Sequence, residues 1–231
     1  MTGTEGGARR RRPFFVVLDH VLVPVVDLES AAGRFRKDYG LLALPGGRHP
    51  WGTANMIIPL GSNYIELIAV VDQARAAESP RYRRIAEAAR AGKPFATWAA
   101  RTDNLSRMRR ALLRRGWQLE PALAGSRTRP DGVLLEWRSQ ELVPGAAPSV
   151  LPFLIEWRVP DGMHPAQAEV RHPSAAGDIA CARFESPDPA AARAELTDLV
   201  GGNLAFSVEG GPQPALVEVQ LEAPAGRISI R

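Results

Sequence analysis

The sequence predicts an α+β fold built from tandem βαβββ modules with a shorter third module of βαβ type, and three observations carry that expectation. First, three segments repeat one form: LDHVLVPVVDLESAAGRFRKDYG at 18–40, KPFATWAARTDNLSRMRRALLRRG at 93–116 and DIACARFESPDPAAARAELTDLVG at 178–201. In each, an apolar run of strand type meets an aspartate, and a helical stretch then ends at a glycine. Second, the spacing is identical from Asp27 to Gly40, from Asp103 to Gly116 and from Asp188 to Gly201. Third, each glycine is followed by a set of short strand-like runs.

The first helix starts at Asp27, where a carboxylate caps free backbone N–H groups, and stops at Gly40, a residue at ease in the left-handed turn. Strands are then expected at Leu41 to Leu44, Ala54 to Pro59 and Tyr64 to Val70. The Val71 to Gly92 link is expected to be helical from Ser79 to Ala91. In the second module, Asp103 or its neighbour Asn104 caps the helix, and strands are expected at Gln118 to Pro121, Gly132 to Arg138 and Pro152 to Val159. The third carries strands near Asn203 to Val208, Ala215 to Glu222 and Arg227 to Ile230. Gly- and Pro-rich stretches at Pro45 to Trp51, Gly125 to Asp131 and Val143 to Leu151 read as turns or lids. The domain expectation is therefore a basic disordered tail at 1–12, modules at 13–92 and 93–160, and a linker with a partial module at 161–231.

Bulk properties narrow the function. A chain of 231 residues that is 45% apolar buries a full core and is not a disordered protein. No window approaches the roughly 20 uninterrupted apolar residues of a membrane span, so no membrane partner is expected. The arginines before Pro13 echo a twin-arginine signal, but Asp19 and His20 break the apolar stretch that should follow. With a single cysteine, Cys181, no intrachain disulfide forms, and a cytoplasmic location is expected. The net charge of +4 rests on dispersed arginines with only two lysines, Lys37 and Lys93. That pattern reads as solvated helix faces, with no nucleic-acid partner. Nucleophile elbows, phosphate-binding glycine loops and CxxC pairs are absent from the sequence, which leaves metal-assisted or general acid–base chemistry.

Two carboxylates stand out. Glu66 sits in the apolar run YIELIAV and Glu156 in LPFLIEW, each with apolar neighbours on both strand parities. A strand covered on both faces makes a lone ionised carboxylate expensive, so each must be paired, protonated or bound to a cation. An arginine in a bidentate bridge satisfies that demand as well as a metal does. His49, Gly52, Thr53 and Asn55 in RHPWGTAN offer an imidazole, close backbone approach, a hydroxyl and an amide to a polar ligand. Arg127 and Arg129 in SRTRPDG either hold a substrate carboxylate or belong to a turn, and Trp98 reads as core or cleft wall.

The segments LDHVLVPVVDL, GGRHPWGTANMIIPLGSNYIELI, RPDGVLLEW and LPFLIEW resemble the glyoxalase-like domain group of the vicinal oxygen chelate superfamily. The resemblance implies that two modules pair into a curved open-barrel sheet with helices outside, enclosing a cleft. It also implies that the first and fourth strands of each module supply ligands to one divalent metal. Carried onto this chain, those ligands are His20, Glu66 and Glu156, with Glu66 and Glu156 also able to move protons; the fourth position falls on Ala96, or on Thr97 with a one-residue slip, leaving His49 or water as the replacement. One imidazole and two carboxylates favour manganese, iron or magnesium over zinc. The implied activity is metal-dependent lyase, isomerase or dioxygenase chemistry on a small oxygen-bearing molecule. The alternative is a metal-free protein that binds or sequesters such a molecule. A homodimer is compatible with either.

Overall fold

The computed structural model describes residues 16–142 and 149–231. The tail expected at 1–12, and residues 143–148 of the expected loop Val143 to Leu151, lie outside the described residues.

Two βαβββ units follow one another. The first is β1 (Val17–Pro24), α1 (Leu28–Tyr39), β2 (Leu44–Arg48), β3 (Thr53–Pro59) and β4 (Tyr64–Val70); the second is β5 (Thr97–Arg101), α4 (Leu105–Arg114), β6 (Leu123–Thr128), β7 (Leu134–Glu141) and β8 (Phe153–Arg158). Between them lie α2 (Gln73–Ala77) and α3 (Pro80–Arg90). All eight strands form one sheet in the order β2-β3-β4-β1-β5-β8-β7-β6. The two halves are thus copies of one strand order, joined where β1 pairs antiparallel with β5. The sheet curls until its edges nearly meet. Arg127 on β6 donates a hydrogen bond to the Gly46 carbonyl on β2, and a Cβ at Gly47 would stand 2.7 Å from the Thr128 carbonyl oxygen.

The helices form where the caps say they should. The Asp27 carboxylate accepts the Ser30 N–H, and Gly40 closes α1 with φ of 63°. In the second unit Asn104 takes the cap and accepts the Arg107 N–H. The outer face of the sheet packs on these helices through Val21, Val23, Ile65, Leu67 and Leu154. The facing side chains, one position along in each strand, point into the concave side, as a period of two requires.

Two expected loops are strands instead. β2 runs through Pro45 to Arg48 because Gly46 lets the Asn55 side chain lie against its backbone: a Cβ there would sit 2.1 Å from Asn55 Oδ1. β6 includes Gly125 because the Trp137 ring covers it, with ring atoms 2.5 Å from where a Cβ would be. In both cases glycine serves cross-strand packing rather than a turn. The run Gln118 to Pro121 expected as a strand is not one.

The C-terminal unit comprises β9 (Ile179–Ser186), α5 (Pro189–Val200), β10 (Ala205–Gly210), β11 (Ala215–Leu221) and β12 (Ile228–Ile230). Its order β10-β9-β11-β12 places the first strand inside the sheet, whereas β1 and β5 lie beside the fourth strands of their units. The shared strand–helix opening therefore leads to a different topology. Phe184 of β9 packs 5.7 Å from Trp98 of β5, so this sheet covers the outside of the larger one. No helix among the described residues is long and apolar enough to cross a membrane.

Candidate functional site

The concave face holds a pocket lined by His20, His49, Asn55, Tyr64, Glu66 and Arg127 on its polar side, with Leu22, Ile68, Phe153, Ile155, Trp137 and Trp157 among its apolar walls. Arg81, Tyr82 and Ile85 of α3 close one side. Trp51 stacks on Tyr82 at 5.4 Å between ring centres. The free volume is about 50 Å³, room for a short reacting group.

Strand parity puts the key groups here. On β1, His20 and Leu22 face inward while Val21 and Val23 enter the outer core; on β4, Tyr64, Glu66 and Ile68 face inward against Ile65 and Leu67. The β1–β5 register slips between Leu18 and His20, which leaves Asp19 in a bulge. The fully buried Asp19 carboxylate meets His20 Nδ1 at 2.6 Å, His164 Nε2 at 2.9 Å and the Trp157 indole N–H at 3.2 Å. Arg101 adds a cation at 3.5 Å. Burial raises the Asp19 carboxyl, but hydrogen bonds from His164 and His20, with their Coulombic attraction, outweigh it and hold the group well below the usual carboxylate range.

A carboxylate has no proton to give, so His20 donates its Nδ1–H to Asp19 and turns Nε2 toward the pocket. That nitrogen stands 3.5 Å from Glu66 Oε2. The other Glu66 oxygen accepts the Asn55 amide N–H at 2.5 Å. His49 Nδ1 lies 2.7 Å from the Thr53 hydroxyl. Burial lowers the His49 pKa to about 4 against the attraction of Glu66, with Arg127 and His20 adding to the drop, so the ring is neutral at pH 7. Burial, then the charges of Asp19 and Glu66, push the Tyr64 hydroxyl up. Tyr64 stacks on the His20 ring at 4.5 Å and fixes its plane.

The structure gathers His20, Glu66, His49, Asn55 and Arg127 and places the other expected residues elsewhere. Glu156 points to the outer face of β8: it accepts the Leu105 N–H at 2.6 Å at the start of α4 and lies 3.3 Å from Arg158 Nε. A one-residue difference in parity sends Ile155 into the cleft and the carboxylate to the helix terminus, where a negative charge is favoured. Trp98 also faces outward, 1% exposed, with its indole N–H on the Val150 carbonyl at 2.7 Å. Arg129 pairs with Asp131 at 2.8 Å in the turn. Gly52, with φ of 86°, accepts the Val71 and Asp72 N–H groups in a tight backbone crossing. Thr53 reaches the site only through His49.

Sequence reasoning missed Asp19 and His164. The adjacent pair Asp19-His20 was visible, but the bulge that lets both side chains meet is a tertiary feature. His164 arrives from the link after β8 and carries no local signal.

The donor set decides how far a metal fits. Among the described residues no group of three or more His, Cys, Asp or Glu side chains is arranged to hold a metal ion. The first half offers His20 Nε2 and Glu66; the second half presents Phe153 and Ile155 to the same space, and the Arg127 guanidinium shares the pocket. His49 lines the same pocket, but among the described residues it does not join His20 and Glu66 in a group arranged to hold a metal, and with a buried cation alongside the set falls short of a four-ligand divalent site.

The curved sheet of paired βαβββ units defines a protein of the vicinal oxygen chelate class. The family model described as "Glyoxalase-like domain" matches residues 18–200, and the chain belongs to that family. A hypothetical protein from Staphylococcus aureus shares the fold at a TM-score of 0.73 and 15% identity, over 87% of this chain and 89% of that one. Methylmalonyl-CoA epimerase from Mycobacterium tuberculosis aligns at a TM-score of 0.44 and 19% identity, over 62% of this chain and 88% of its own. A Streptomyces coelicolor methylmalonyl-CoA epimerase variant in complex with 2-nitronate-propionyl-CoA aligns at a TM-score of 0.44 and 14% identity, covering 61% and 96%. No curated protein matches the chain.

Proposed function

We propose that this protein is an enzyme that moves a proton on a small oxygen-bearing substrate through His20 and Glu66, of isomerase or lyase type, without a divalent metal. The observation that carries this reading is the Asp19–His20–Glu66 line. Asp19 accepts the Nδ1–H hydrogen bond at 2.6 Å, and Nε2 faces the Glu66 carboxylate 3.5 Å away inside the pocket. An imidazole held at Nδ1 with its Nε2 beside a carboxylate can pass a proton between the two groups, and positioned groups of this kind supply about 10²–10⁴ in rate. Asp19 touches no substrate and acts by orienting His20 and stabilising its protonated form. Tyr64 and the tryptophans line the pocket around this pair.

The test is deuterium uptake from D2O into a panel of small ketones, 2-oxo acids, 2-hydroxy acids and acyl thioesters, followed by NMR. Exchange next to the carbonyl should persist after chelator treatment and fall at least about 100-fold in His20→Gln and Glu66→Gln. A panel in which nothing exchanges, or in which exchange requires added metal, rejects the reading.

The second reading is a metal-free binder. It draws on the aromatic wall of Trp51, Tyr82, Trp137 and Trp157, which suits retention of a flat or apolar ligand. Tight binding with no exchange would favour it.

A further inference from the structure

Arg127 is a buried cation with no ion pair among the described residues. It is 4% exposed, and among the described residues its guanidinium forms no ion pair with a carboxylate; it donates to the Gly46 carbonyl, and the residue lines the pocket. Glu66 attracts Arg127 through space but makes no ion pair with it, because that carboxylate is held by Asn55 and lies toward His20. Burying a guanidinium in this way is costly unless an anion arrives to meet it.

A second orphan lies beside it. Asn55 is 5% exposed, and with its Nδ2 given to Glu66, its Oδ1 has no hydrogen-bond partner among the described residues. The hydrogen bond to Glu66 fixes which end of the amide is oxygen, so the unsatisfied atom is an acceptor. Both orphans converge on Gly46: Arg127 donates to its carbonyl, and Asn55 Oδ1 occupies the place of its missing Cβ at 2.1 Å. A buried guanidinium with no ion pair and an unmatched acceptor against one glycine make a composite polar pole. Opposite it stand Leu22, Ile68, Phe153 and Ile155.

We propose that this pole binds a short carboxylate bearing a hydrogen-bond donor on the adjacent carbon, a 2-hydroxycarboxylate, with Arg127 on the carboxylate and Asn55 Oδ1 accepting from the hydroxyl. The assignment rests on the proton-transfer reading above and names its substrate class. Arg127 recognises the planar carboxylate through paired N–H donors, a geometry that an ammonium lacks. It also stands where negative charge builds when the proton on that adjacent carbon leaves toward His20 or Glu66. The small free volume selects short chains with an apolar tail no larger than a few carbons.

The probes are lactate, propionate and lactamide, titrated against the full-length protein by tryptophan fluorescence, with Trp51, Trp137 and Trp157 as reporters. Lactate should bind about tenfold or more tighter than lactamide, which lacks the charge, and measurably tighter than propionate, which lacks the hydroxyl. Arg127→Gln should weaken lactate by about tenfold or more, Arg127→Lys should recover part of that loss, and Glu156→Gln, outside the cleft, should change nothing. Equal binding of lactate and lactamide, no lactate binding up to about 100 mM, or an unaffected Arg127→Gln overturns the assignment. If neither Arg127 variant folds, the lactate-to-lactamide ratio on the wild type decides alone. Binding is read without turnover, so failures separate: charge-selective binding with no deuterium exchange sinks the proton-transfer reading, and exchange with charge-blind binding sinks this one.

Discussion

Replacing Asp19 with asparagine keeps the shape of the side chain and removes its charge. In the wild type three donors converge on the buried carboxylate: His20 Nδ1, His164 Nε2 and the Trp157 indole N–H. Turning three charge-assisted hydrogen bonds into neutral ones loses about 1 kcal/mol each, ~3 kcal/mol in all. An amide also presents its own N–H groups to that cluster of donors, leaving at least one buried group unmatched for a further ~1–2 kcal/mol. The total of about 4–5 kcal/mol corresponds to a melting temperature lower by about 10–15 °C in a chain of this size. Thermal melts of Asp19→Asn and wild type at pH 7 measure it directly. The sign of the pH dependence follows from the depressed carboxyl. Its contribution is complete above the ordinary value of 3.8 and is lost as the pH falls further through the lower folded value, so the gap between the two proteins should narrow only below pH 3.8. A melting temperature within 3 °C of wild type at pH 7, or a gap that closes already near pH 6, would refute the reasoning about this network.

Three further outcomes are expected. His49, with its pKa lowered from 6.5 to about 4, binds fewer protons folded than unfolded between those values, so its contribution to stability is full above pH 6.5 and lost as pH falls toward 4. The span sets a ceiling of about 3 kcal/mol. Because the residue keeps partial exposure, about 1–2 kcal/mol is expected, removed in His49→Asn; an NMR titration of the ring above pH 6 would contradict it. Glu156→Gln should cost about 0.5–2 kcal/mol in urea unfolding through the weakened start of α4 and leave deuterium exchange intact; a loss matching Glu66→Gln would return Glu156 to the cleft. Gly125→Ala forces a methyl against the Trp137 ring and should destabilise by about 1–3 kcal/mol with a shift in tryptophan emission, and an unchanged spectrum would mean that the ring has room to move.

The sequence revealed the architecture more fully than the chemistry. The spaced aspartates and glycines predicted α1 and α5 with their caps, and the apolar runs predicted β3, β4 and β8, because these signals are local. Asn104 displaced Asp103 as the cap of α4, an exchange between neighbours that the same rule allows. His20, Glu66, His49, Asn55 and Arg127 were singled out, and the fold brings them to one pocket. Glu156 shows where local reading ends. Apolar neighbours on both parities make a carboxylate conspicuous in LPFLIEW, but they do not say which face it takes, and a helix terminus proved as good a partner as a cation. Gly125 and Gly46 misled for a related reason: the sequence marks where glycine is needed, and only packing shows whether a turn or a ring needs it. Asp19 and His164 meet across a bulge and a distant link, where no spacing rule reaches.

The connection between His164 and Asp19 ties the cleft to a stretch that follows both repeated units. His172, from the same stretch, clasps the first unit through the Leu42 N–H and the Pro59 carbonyl. The duplicated half-barrels are therefore not self-sufficient. A recombined gene that preserved both repeats and exchanged what comes after β8 would inherit the vessel without one of the pins that aligns its histidine. Diversification of this lineage should therefore carry repeats and downstream strap together as one heritable block.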